Sequence, residues 1–117
     1  MTIYTKHLSE PWFSLIKLQL KTVEGRLNKG DFAQMKKGDE IIFTNNDFGK
    51  DRFIKIKITS IKKYISFEQY IRKEKLSKCL PSIDTIEEGV EIYHKYYTVK
   101  DEEQYGIIAI RFKLVLD

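Results

Sequence analysis

The sequence predicts a single α+β domain of four to six strands and three helices, and three observations lead there. Residues 52–64 and 105–116 alternate apolar and polar side chains with the period of a strand. Ser66–Gln69 and Thr85–Glu88 each place a hydroxyl three residues before a Gln or Glu at the head of an amphipathic run, the pattern that opens a helix. No linker, repeat or low-complexity segment divides the 117 residues, a length that supports one hydrophobic core without metal or disulfide.

In chain order, Ile3–Leu8 reads as an opening strand, rich in β-branched and aromatic side chains. Ser9 has the character of an N-cap, with Glu10 favourable at the positive helix end and Pro11 tolerated in the first turn. Trp12, Phe13, Leu15, Ile16, Leu18 and Leu20 surround much of the following helix, which predicts packing on two sides. Trp12 is foremost a core residue, and alternatively a stacking platform at the mouth of a site.

Lys21 to about Leu27 is expected as a strand. Alternation puts Thr22, Glu24 and Arg26 on one face and sends Val23 and Leu27 into a core, with Lys21 at the joint free to swing to either side. A cation, a hydroxyl, a carboxylate and a guanidinium within six residues form a candidate site for ligand recognition or catalysis. The plain alternative is a solvated strand face carrying weak surface ion pairs.

Asn28–Asp31 and Lys36–Asp39 are turns by composition, with one helical turn at Phe32–Met35 between them. Glu40–Thr44 is a strand, and Asn45–Gly49 a hairpin connection. In residues 52–64 the isoleucines point inward and the lysines outward. Lys55 and Lys57, with Lys62 and Lys63, then make either a basic stripe for nucleic acid or a solvated outer face. A helix runs from Ser66 to about Glu74 or beyond, and Pro81 closes that segment. Another runs from Thr85 to about Tyr97, with Ile86, Val90, Tyr93 and Tyr97 on its core face. Tyr70, Tyr93, Tyr96 and Tyr97 can stack on bases, although packing accounts for most of them. Tyr105–Leu116 closes the domain as a strand.

The composition narrows the function classes. A net charge of +4 and a pI near 9.1 permit attraction to phosphate without demanding it. Only Arg26, Arg52, Arg72 and Arg111 offer a bidentate fork. One cysteine, Cys79 between leucines, excludes an internal disulfide, fits a reducing compartment and reads as a small buried hydrophobe. His7 and His94 lack ligand spacing, so no metal and no cofactor is expected. No apolar run approaches a membrane span and the start has no signal-peptide character, which points to the cytosol, or a nucleus where there is one, and to no membrane partner.

The order Pro11-Trp12, then Lys21, Glu24 and Arg26 as K-x-x-E-x-R, then Gly38-Asp39 before an apolar strand, resembles the ASCH domain family. Ile86–Val90, Tyr96-Tyr97 and Tyr105–Ile107 are similar to later parts of that family, and the likeness spans essentially the whole chain. The family signature is usually written G-x-K-x-x-E-x-R. Gln19 stands at its glycine, which predicts a joint less free to adopt positive φ. The resemblance implies a PUA-like fold: a small mixed β-barrel of about five to six strands, flanked by about three helices, with a cleft lined by the K-x-x-E-x-R residues.

It also implies binding of RNA or a modified nucleoside there, through Lys21, Glu24 and Arg26; the residue patterns above add Thr22 and Trp12 as ligand-binding candidates and Lys55 and Lys57 as an RNA-binding surface. One branch with similar architecture hydrolyses N4-acetylcytidine, using a lysine and a threonine of the motif strand and a glutamate elsewhere. Lys21 matches that lysine, Glu24 occupies the threonine's place, and Thr22 is not its equivalent. The alternative function is therefore a small amidohydrolase on an acylated nucleoside, with Lys21 and Glu24 as catalytic groups. A protein partner at Phe48, Tyr96 and Tyr97 is a third reading.

Overall fold

A computed structural model describes residues 1–116 of the chain. Five strands form one sheet: β1 (Ile3–His7), β2 (Val23–Leu27), β3 (Glu40–Asn45), β4 (Arg52–Tyr64) and β5 (Ile107–Leu114). Their spatial order is β1-β3-β4-β5-β2. β1 pairs with β3 in parallel, and all other pairs are antiparallel. The sheet curls into a half-barrel, the PUA-like α+β fold. Its edges are β1 and β2, from opposite ends of the strand order.

β5 is the reason two cores exist. Ile107, Ile108, Ala109 and Ile110 are all buried, so both faces of this strand are covered. The concave side holds Phe13, Ile16, Ile41, Phe43, Ile56, Ile58 and Ile110. The other side packs Val23, Leu27, Ile107 and Ala109 against the helices α3 (Phe67–Glu74) and α5 (Ile86–His94).

β4 spans the predicted residues, but its alternation breaks at a bulge. The register with β5 shifts between Ile58 and Ser60, which turns Ile61 to the same side as Ile58. Ser66 and Thr85 cap α3 and α5 as expected, accepting from the backbone N–H of Gln69 and Glu88. Phe32 and Ala33 lie in the single turn α2 (Asp31–Gln34).

Three expectations need correction. The first helix, α1 (Trp12–Lys17), stops early, because Gln19 takes φ +63° and turns the chain out of the helix. Leu18 and Leu20 are consequently exposed, and two-sided packing falls to Trp12, which touches both cores. Ser9 does not cap it: the cap position is Pro11, without a side-chain bond, and the Glu10 carboxylate instead accepts from Ser14. The last strand begins at Ile107 rather than Tyr105, since residues Val99–Tyr105 form a helix, α6, capped by Thr98. Gly106, at φ +70°, makes the reversal between them. A short α4 (Leu76–Cys79) follows α3. Among the described residues, no helix is long and apolar enough to cross a membrane.

Candidate functional site

The half-barrel is open where its edge strands face each other, and the K-x-x-E-x-R residues lie at that opening. Glu24 and Arg26 pair across β2–β5 with Ile110 and Ile108, which puts both on the concave face. Val23, Gly25 and Leu27 point the other way, toward α3. Gly25 is needed there: a Cβ would stand 2.5 Å from the buried Tyr70 ring.

Lys21 is 1% exposed. Its ammonium donates to the carbonyls of Val23 (2.7 Å) and Cys79, and lies 3.2 Å from Glu24 Oε1. A lysine has three donors, and each has a partner here. Arg26 Nε donates to Glu24 Oε2 at 2.8 Å, so the carboxylate is held at both oxygens. Arg26 Nη2 donates to the His7 carbonyl at 3.1 Å, a bond from one edge strand to the other across the opening. The guanidinium lies 4.9 Å from the centroid of the Phe32 ring. Two of its five N–H groups are thereby used.

Burial alone would push the Glu24 carboxyl up; Lys21 and Arg26 outweigh it and hold the group below the ordinary carboxylate range. Burial pushes the Tyr97 hydroxyl up, against the pull of the Arg26 cation beside it. Burial pushes the Cys79 thiol to about 11, which leaves it a packed, unreactive group.

Around this polar floor is a cleft of about 240 Å³. Its walls are aromatic: Trp12 from α1, Tyr93 from α5, and Tyr96 and Tyr97 just beyond it. Tyr96 is 59% exposed at the rim. His7, Leu8 and Ser9 close the side nearest β1. A charged floor between flat apolar walls suits a planar ligand with a polar edge.

The ASCH domain family matches residues 7–116. The chain belongs to that family. Two solved structures share both fold and sequence with this ASCH domain. The crystal structure of hypothetical protein PH0355 superposes with a TM-score of 0.86 at 36% identity, covering 97% of this chain and 99% of that one. The solution NMR structure of protein PF0455 from Pyrococcus furiosus gives 0.78 at 35% identity, covering 98% and 99%. Among curated proteins no match is found.

Of the residues singled out in the sequence, this ASCH domain gathers Trp12, Lys21, Glu24 and Arg26 around one cleft. Thr22 is not among them. It precedes β2, so strand alternation does not reach it, and it lines a separate depression with Lys78 and Arg111. Lys55 and Lys57 lie on β4, away from the cleft lining. Gln19, at the family's glycine position, adopts positive φ after all. His7, Ser9, Leu80 and Ile92 are lining residues that no motif announced. Parallel pairing of β1 with β3 places His7, and such non-local pairing leaves no local pattern.

Proposed function

We propose that this ASCH domain binds RNA by taking one unpaired base, ordinary or modified, into the edge-strand cleft. The observation that carries the reading is the clamped carboxylate at the base of an aromatic-walled cleft. Glu24 fixes the guanidinium of Arg26, whose N–H groups beyond those given to Glu24 and His7 can serve the acceptors on a base edge or a phosphate. Trp12 and Tyr96 line the cleft as aromatic groups on which a base can stack, worth roughly 1–3 kcal/mol per base. The basic charge of the chain adds the sequence-independent attraction to phosphate.

The same geometry favours binding over hydrolysis. A general base works best with a proton affinity near the working pH, and Glu24 is moved away from it. Lys21 has its donors committed within the protein, with none left for a substrate oxyanion.

Titration of single-stranded RNA at low salt tests the reading. Binding that weakens with salt, and that Tyr96→Ala reduces roughly 5- to 150-fold at unchanged Tm, is expected. Absence of binding to any single-stranded RNA at low salt rejects it. Incubation with N4-acetylcytidine is expected to leave the substrate intact; cytidine release that disappears in both Lys21→Ala and Glu24→Ala would restore the hydrolase.

A further inference from the structure

A second depression of about 380 Å³ lies at the start of β2. Its lining includes Thr22, Lys73, Glu74, Lys75, Lys78 and Arg111, four cations and a single carboxylate. That carboxylate is spent. Arg111 holds both Glu74 oxygens, at 2.7 and 2.8 Å, and the Tyr64 hydroxyl donates to Oε2. The lining is thus left with three lysines, all exposed, and no free acid to neutralise them. Arg111 spends two of its five N–H groups on Glu74.

The backbone is shaped to bring these lysines together. Lys75 takes φ +87°, in the region that side chains rarely adopt, and so turns the chain between α3 and α4. That turn gathers Lys73, Lys75 and Lys78 at one depression. The Thr22 N–H donates to the Lys78 carbonyl, tying the wall to the strand that carries the cleft residues. The positive surface also extends along the sheet. Lys62 pairs with Ala109, and Lys57 with Lys113, which puts these lysines on the same sheet face as Arg111. Lys57, which does not reach the cleft, belongs to this surface instead.

We propose that this depression is a phosphate-binding groove that holds the sugar–phosphate backbone of the RNA strand whose base enters the cleft. The inference rests on the RNA reading above. Lys21 and Leu80 line the cleft while Thr22, Val23 and Lys78 line the groove, so the two are neighbours along both segments and one strand can engage both. Compact lysine charges suit phosphate contact without sequence preference, while the arginine and the aromatic walls of the cleft do the discriminating.

The test uses the full chain with a labelled single-stranded RNA across a salt series, and a free nucleoside read by Trp12 fluorescence. The variant is Lys73→Gln/Lys75→Gln/Lys78→Gln. Its control is Lys37→Gln/Lys50→Gln/Lys100→Gln, which removes equal charge from exposed sites elsewhere. The groove variant is expected to flatten the slope of log affinity against log salt by about 2, at ~0.7 per lost contact. Nucleoside binding stays unchanged in it, and the control slope stays near wild type. Equal slopes in the groove variant and the control overturn the groove, whatever the cleft does. Loss of RNA slope with no nucleoside binding in any protein keeps the groove and rejects the cleft. Polyglutamate displacing the RNA as well as unlabelled RNA does would reassign the groove to an acidic protein.

Discussion

Among the described residues, Glu24 is the one carboxylate that lines the cleft. It is buried, and both of its oxygens face cations. Neutralising it leaves the buried Lys21 ammonium without its carboxylate, so Glu24→Gln is expected to destabilise the fold by about 3–5 kcal/mol at neutral pH. The pH dependence has a definite sign. Because the folded carboxyl is depressed, its contribution is complete above the unfolded value of ~4.3 and is lost as pH falls through the folded one. The gap in Tm between wild type and Glu24→Gln should therefore narrow below about pH 4; a constant gap would mean the carboxylate is not held by its cations. One residue along, Gly25→Ala forces a Cβ against the buried Tyr70 ring. A stability loss of about 1–3 kcal/mol is expected by denaturant titration, and wild-type stability would show that the Tyr70 ring yields. The shared face of Glu24 and Arg26 was legible from strand period alone. The burial of Lys21 was not, because its acceptor at Cys79 lies 58 residues away.

Among the elements, α3 and α5, each opened by a full capping box, were readable, and α6, which Thr98 caps without one, was not. Ser66 and Thr85 announce α3 and α5 through local hydrogen bonds, which sequence displays directly. α6 offered a weaker sign, with Asp101 rather than Glu or Gln three residues after Thr98. It is fixed from a distance, by Glu102. Glu102 Oε2 accepts from the Phe67 N–H at 2.6 Å, and Oε1 lies 3.0 Å from His94 Nε2. One carboxylate thus ties α6 to the start of α3 and the end of α5, and through α5 supports the tyrosine wall of the cleft. Glu102→Ala leaves a buried N–H without its acceptor, at a cost of about 1–3 kcal/mol. Hydrogen exchange should then quicken in α6 and at residues 93–97 together. Faster exchange confined to α6 would separate that helix from the cleft.

For the whole molecule, the strand order explains why the site is where it is. A sheet ordered β1-β3-β4-β5-β2 leaves its first and second strands as unpaired edges, and Arg26 spans them with its bond to His7. Sequence supplied most of these strands and the motif, but no local pattern reveals that residues 7 and 26 meet across a gap. The same long-range pairing sorts the lysines: spacing alone turned them outward, and the shifted β4–β5 register puts Lys57 and Lys62 on the outer face but Lys63 on the other. Trp12 is the only tryptophan of the chain and lines the cleft, so its emission reports occupancy directly. Titrating cytidine, uridine, adenosine and guanosine, their modified forms and a short single-stranded RNA against Trp12 fluorescence tests the central claim. A saturable change for at least one of them, weakened roughly 5- to 150-fold in Tyr96→Ala, is the predicted result. Emission that stays constant with every nucleoside and with RNA at low salt, in a protein still folded, would contradict it.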